Sequence, residues 1–229
     1  MRRLMSVLMV AISLLVAVPG FAGLIGIHPG FKAGFTVSNF DENISNAEEL
    51  ESRSKVTFGG SLRFDIGPFF SIQPELQYLP GGGKGSFVVD DGGSPTTVEG
   101  TLKMDYLQIP LLAKFRIPGA GSLVPNFYIA PTAAVNLASK LDADLSALGM
   151  PPEEGGVDIK DEVKSLLFGG AVGAGFDMRA GKGIMTLDAR YSRSLSDIFE
   201  GATTGGSAGV FGAADSKNSS LSVTLGYTF

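Results

Sequence analysis

Leu221 to Phe229, LSVTLGYTF, is the stretch on which the fold turns. Leu221, Val223, Leu225, Tyr227 and Phe229 fall on one phase, and Ser222, Thr224, Gly226 and Thr228 on the other. Period two over nine residues is the mark of a strand with one apolar face, because successive side chains of an extended chain point to opposite sides. The segment before it repeats the pattern, with Met185, Leu187, Ala189 and Tyr191 against Thr186, Asp188, Arg190 and Ser192. Earlier still, Leu166, Phe168, Val172, Ala174, Phe176 and Met178 alternate with Gly169, Ala171, Gly173, Gly175 and Asp177. Further strands are expected near Phe127 to Leu137, Leu102 to Arg116, Phe69 to Leu79, Val56 to Ile66 and His28 to Phe40. Eight strands of about ten residues each have the length that a tilted strand needs to cross a bilayer.

One strand changes phase: Leu102, Met104 and Tyr106 are even-numbered, whereas Leu107, Ile109, Leu111, Ala113 and Phe115 are odd. A β-bulge near Tyr106 to Leu107 would restore the alternation. The connections alternate in length. Asp41 to Lys55, Pro80 to Gly100, Ala138 to Lys164 and Ser196 to Ser216 are long and polar. Gly67-Pro68, Pro118 to Val124 and Ala180 to Lys182 are short. In an up-and-down barrel this puts the long loops at one rim and the short turns with both termini at the other, the asymmetry of an outer-membrane barrel. A soluble barrel of the lipocalin kind also alternates, but its outer face would be dense in Lys and Glu. The polar phase here is mostly Gly, Ala, Ser and Thr, which suits a narrow, crowded interior.

The strand charges test that register. Lys32, Arg63, Asp65, Glu75, Lys114, Asp177, Asp188 and Arg190 all lie on the polar phase of their strands. Lys or Arg facing lipid at mid-depth costs about 2 to 4 kcal/mol, so this phase is expected to face inward. An eight-stranded barrel is just wide enough for side chains to fill. Mixed signs at similar depth therefore suggest a paired interior charge network, a structural plug rather than a proton or ion path. Tyr78, Tyr106 and Tyr191 fall toward the long-loop ends, and Phe69, Phe115, Phe127, Phe176, Tyr227 and Phe229 toward the other rim. That is the placement expected of two aromatic girdles.

The first 22 residues stand apart from the barrel. Met1-Arg2-Arg3 is basic, Leu4 to Val18 is almost wholly apolar, and Pro19 to Gly23 offers small residues for cleavage after Ala22, as in a secretory signal peptide. The expected organisation is a signal peptide over 1–22 and one barrel domain over 23–229. The mature chain would have 207 residues and, without the two leader arginines, a formal charge of −7.

Composition narrows the function. The 229 residues hold 18 basic and 23 acidic side chains, 32 Gly, 12 Pro and no Cys or Trp, and the mean hydropathy is +0.24. A net charge of −5 without a basic stretch argues against nucleic-acid binding. Without cysteine, zinc fingers, thiol catalysis and disulfide scaffolds are excluded. Most carboxylates are expected in the long loops; the third holds Asp142, Asp144, Glu153, Glu154, Asp158, Asp161 and Glu162. Their spacing matches neither an EF-hand nor an Asp-Gly nonapeptide repeat, so a solvated surface is expected and no metal site. The single histidine, His28, starts the first strand, far from the polar loops, and is expected at the surface by the membrane boundary. Gly81-Gly82-Gly83-Lys84-Gly85-Ser86 lacks the phosphate-loop spacing and is expected as a flexible hairpin loop. No catalytic residue and no cofactor site is expected.

GFKAGFTVSNF at Gly30 to Phe40, SIQPELQYLPGGGKG at Ser71 to Gly85, DYLQIPLLAKF at Asp105 to Phe115, GAGFDMRAG at Gly173 to Gly181 and LDARYSRSLSDI at Leu187 to Ile198 resemble the PorT-type outer-membrane β-barrel family, OmpX/OmpA-like small barrels. The resemblance spans nearly all of the mature chain. It implies an all-β, eight-stranded antiparallel transmembrane barrel in the bacterial outer membrane, in contact with lipid and lipopolysaccharide. It also implies that the final strand, through Tyr227 and Phe229, carries the signal read by the barrel-insertion machinery. The founding member is linked to secretion and gliding, but the matching segments are strand and turn positions, which carry over architecture rather than activity. The leading expectation is a non-enzymatic barrel whose acidic extracellular loops meet an envelope partner, in a secretion or motility assembly for instance. A small passive channel is the alternative, and a barrel hydrolase acting on lipid A or on peptides is disfavoured by the lack of histidine at the outer rim.

Overall fold

The structure, a computed structural model, describes residues 25–40, 47–89, 96–117, 119, 121–143, 157–160, 163–196 and 217–229. The expected signal peptide and the tips of the long connections, with Asp144, Glu153, Glu154, Asp161 and Glu162, lie outside the described residues. Nine strands run in chain order: β1 Ile25–Phe40, β2 Ala47–Ile66, β3 Phe70–Val89, β4 Thr96–Arg116, β5 Leu123–Ala143, β6 Val157–Asp158, β7 Leu166–Ala180, β8 Gly183–Ser194 and β9 Asn218–Thr228. Eight of them form a ring in the order β4-β3-β2-β1-β9-β8-β7-β5, which the β4–β5 pairing closes, while the two-residue β6 pairs only with β5. Every pairing is antiparallel. The seam between first and last strand runs from Gly30↔Thr228 to Phe40↔Asn218, so no strand of the ring has a free edge.

The alternation read in the sequence sets the faces. Leu221, Val223 and Leu225 are exposed on the outside while Ser222 and Thr224 are buried. The same holds for Phe31, Phe35, Phe127, Ile129, Phe168, Val172, Phe176 and Leu187, which are all exposed and apolar. That band can be stable only against lipid, since water would reject so large an apolar area. The short turns fall where expected, and Gly67 and Gly181 make the tight turns at φ 71° and 63°, values that side chains with a Cβ resist.

Two of the expected long loops prove to be largely strand, and a third begins as strand. β2 starts at Ala47, β3 runs on to Val89, β4 starts at Thr96, and β5 continues to Ala143. Gly81 to Gly83, expected as flexible loop, pair with Met104, Lys103 and Leu102 and are buried. Beyond the apolar band the outward face of a hairpin meets water rather than lipid and has no need of apolar residues. The ladder then continues while the apolar alternation that would reveal it stops.

The irregularity expected at Tyr106 to Leu107 lies in the neighbouring strand. β4 keeps one phase throughout, with Met104, Tyr106, Gln108, Pro110, Leu112 and Lys114 all buried. In β5, Asp105 faces Ala138 and Tyr106 faces Asn136, which leaves Leu137 as the extra residue. Asn136 and Ser139 therefore both point inward, and Leu137 is exposed. The assumption that apolar means outward fails for Met104 and Tyr106 because the upper interior is itself partly apolar: Leu79 and Leu167 are buried there too. Tyr106 is thus a lumen residue, 2% exposed, and not part of a girdle. At the other rim the aromatic residues do meet, with Phe115 stacked on Phe127 at 5.5 Å, and Phe31, Tyr227 and Phe229 in mutual contact.

The chain after β5 folds back onto the bulge. Ile159 N donates to Ser139 O at 3.1 Å, Lys160 Nζ donates to the carbonyl of Leu137 at 2.9 Å, and Asn136 N donates to Ser165 O at 3.0 Å. Ile159 and Val163 are each only 2% exposed.

Candidate functional site

Seven of the eight charged residues expected inside the barrel are buried in the lumen, and the eighth, Asp65, is half-buried. They form two layers.

The central layer is built on Glu75 of β3, whose side chain is fully enclosed. Lys32 Nζ from β1 lies 2.7 Å from its Oε2, Arg190 Nη2 from β8 lies 2.8 Å from the same oxygen, and Gln73 Nε2 donates to Oε1 at 2.7 Å. Arg190 is satisfied on its other edges, since Nη1 donates to Gln77 Oε1 and Nε to the Tyr128 hydroxyl, both at 2.9 Å. Tyr128 passes its own O–H to Asp188 Oδ1 at 2.8 Å, and its ring lies 5.2 Å from the guanidinium carbon. Buried charges persist where partners satisfy them on every side, and Arg190 with its planar fork of donors meets that condition here.

The second layer lies toward the short-turn rim. Arg63 of β2 donates Nε to Asp65 Oδ1 at 2.8 Å and Nη1 to Asp177 Oδ2 at 2.9 Å. Asp177 also accepts from Asn126 and Thr186, each at 2.9 Å, and stands 3.8 Å from Lys114 Nζ. Arg116 closes the layer with Nη2 2.9 Å from Asp65 Oδ1 and further bonds to the carbonyls of Gly67 and Phe70. His28 is partly exposed at this mouth, where Nδ1 is 2.9 Å from Phe229 O and Nε2 is 3.7 Å from Asp65.

Sequence reasoning did not single out Arg116, Tyr128, Gln73, Gln77 or Asn126. Parity was the available signal: Arg116 shares the phase of Lys114, Gln73 and Gln77 that of Glu75, and Asn126 and Tyr128 alternate with the outward Phe127. Tyr128 passes for an aromatic-belt residue until its hydroxyl is given a partner.

On the long-loop side of the network lies a cavity of about 40 Å³ walled by Leu79, Tyr106, Gln108, Thr132, Ser192 and Asn218. On the other side a second one of about 20 Å³ reaches Lys32 and Lys114. A water needs about 10 to 15 Å³ of such space, so each holds a few small molecules at most. Among the described residues no group of three His, Cys, Asp or Glu side chains is placed to hold a metal ion. His28 has a carboxylate and a backbone carbonyl beside it, and no described hydroxyl bonded to it as a nucleophile would be.

The outer membrane protein beta-barrel domain model matches residues 20–200. A search of the curated proteins finds no match. Similar solved structures include Ail, the attachment invasion locus protein of Yersinia pestis, in complex with the heparin analogue sucrose octasulfate, at 13% identity and a TM-score of 0.43, covering 89% of this chain and 99% of that one. OprG from Pseudomonas aeruginosa is similar at 13% identity and a TM-score of 0.48, covering 88% and 95%. Neisserial surface protein A is similar at 13% identity and a TM-score of 0.42, covering 90% and 99%. The closed eight-stranded ring, its apolar outer band and a family match over most of the sequence give one conclusion: the chain belongs to the outer membrane protein beta-barrel domain family and resides in the bacterial outer membrane.

Proposed function

We propose that this outer-membrane barrel is a closed, non-enzymatic envelope protein that acts through contacts made at its long-loop rim. The observation that carries the proposal is the occupied lumen. Glu75, Arg190, Arg63 and Lys114, of β3, β8, β2 and β4, have side chains at most 2% exposed, and with Lys32 of β1 and Asp177 of β7 they span the interior. Side chains that cross the lumen and tie opposite walls together are a filling, and they leave no wide water path for solutes. The surface available for function is then outside the network, where β2 to β5 extend beyond the apolar band and the connecting sequences are rich in carboxylates. An envelope protein with a complementary basic face is the partner class we favour. A secretion or motility assembly is the setting we propose for that contact, while the PorT-like segments carry over architecture only. We further propose that Tyr227 and Phe229 serve as the insertion signal; both lie at the short-turn rim, with Phe229 exposed.

Two measurements test this reading. In planar bilayers the purified barrel should give no sustained open current, whereas steady ohmic conductance would replace the proposal with the passive channel. Brief cross-linking in the native outer membrane should recover a defined protein at near-stoichiometric amount, lost when the carboxylates of the third connection are neutralised. Recovery of the barrel alone would remove the partner from the proposal.

A further inference from the structure

We propose that the small cavity beside Lys114 is a binding site for a monovalent anion, chloride in the first instance. The charge of the layer toward the short-turn rim motivates the assignment. Among the described side chains of that layer, Arg63, Lys114 and Arg116 are cationic while Asp65 and Asp177 are anionic. The central layer, by contrast, balances Lys32 and Arg190 against Glu75 and Asp188. The surplus positive charge falls to Lys114. Asp177 already accepts from Arg63, Asn126 and Thr186, and its Oδ1 is 3.8 Å from Lys114 Nζ, beyond hydrogen-bond contact. The ring of Tyr128, 5.9 Å away, adds only a weak cation–π attraction.

The walls of the cavity supply donors. It has a volume of about 20 Å³ and is lined by Lys32, Lys114, Ser61, Gln73, Thr186 and Thr224, among others. Thr224 is 3% exposed and its Oγ1 has no hydrogen-bond partner in the protein. Ser71, which pairs in register with Lys114 on the neighbouring strand, is fully buried and its Oγ is also without a partner. The unpartnered Thr224 hydroxyl and the buried Lys114 ammonium on one cavity wall are the donor pair of an anion site, and Ser71, outside the lining, is a second unpartnered hydroxyl in register with Lys114. Asp188 also lines the cavity, with its Oδ1 accepting the Tyr128 hydroxyl at 2.8 Å. The space, about that of one or two waters, suits a single small ion better than phosphate or a carboxylate-bearing metabolite. A buried cation is costly without a counter-charge, and a halide here would supply one.

Bromide replaces chloride and can be located directly. Crystals of the mature barrel grown in sodium bromide and measured at the bromine absorption edge should show an anomalous peak between Lys114 and Thr224; peaks confined to the surface, or none, would overturn the assignment. In solution, urea unfolding at matched ionic strength should have a higher midpoint in chloride than in gluconate. That difference should vanish in Lys114→Met and persist in Lys103→Met, which alters an ion pair elsewhere, with Asp142. Equal chloride dependence in the two variants would count against the site. If Lys114→Met fails to fold, Thr224→Val takes its place, and the bromide map of the unaltered protein decides independently.

Discussion

At the level of single residues, the two faces of a strand should respond to substitution in opposite ways. Leu225 is exposed on the apolar band and Thr224 is buried beside it in the lumen. Leu225→Arg should cost about 2 to 4 kcal/mol at mid-depth and reduce the folded fraction in lipid vesicles, while Thr224→Ser should fold as the parent does. Equal tolerance would show that the assigned register is wrong. Inside the lumen, Glu75 carries two cations, so the partners are not equivalent. Glu75→Ala strands Lys32 and Arg190 together and should lower stability by about 3 to 5 kcal/mol in urea unfolding, the loss typical when one member of a buried pair is removed. Lys32→Met should cost less, because Glu75 keeps Arg190 and the methionine fills the space. Equal losses would mean that packing, not pairing, sets the energy of this layer.

At the level of elements, the closing seam is the most sterically exacting pairing. A Cβ on Gly34 would lie 2.6 Å from Thr224 Cα and closer still to the Val223 carbonyl, all backbone of β9. Gly34→Ala should therefore prevent β1 from closing on β9 and yield protein that stays unfolded in detergent. Gly170→Ala, on the outward phase of β7 with only the Ala130 carbonyl within 4 Å, should fold normally. The same contrast explains what could be read without coordinates. β7, β8 and β9 lie mostly within the apolar band, and their alternation was plain in Phe168, Leu187 and Val223. The upper halves of β2 to β5 were not legible, because residues such as Gly81 to Gly83 pair in the ladder with no apolar face to declare it. Met104 and Tyr106 misled for the converse reason: they are apolar and point inward, which moved the expected bulge onto the wrong strand. The eight interior charges were found by parity, whereas the hydrogen-bonding role of Tyr128 depends on Asp188 and Arg190, 60 and 62 residues away in sequence.

At the level of the whole molecule, the ring and its filling share the work of holding the shape. Main-chain pairing closes the wall, and the charge layers tie β1, β2, β3, β4, β7 and β8 across the lumen. If that filling is what blocks passage, then removing it should create a channel: the double variant Glu75→Ala with Arg190→Ala should conduct in planar bilayers where the parent does not. A silent double variant would locate the barrier elsewhere in the lumen. The extra residue at Leu137 has a different consequence. One register step is absorbed there, and Lys160 takes up the carbonyl of the bulged residue. Below that point β5 keeps the parity that faces Ile129 to lipid; above it the strand runs on the opposite parity. A residue inserted or removed in the outer half of the hairpin would thus leave every membrane-facing side chain below the bulge in place, so the half of the strand beyond the bilayer is decoupled in register from the half within it.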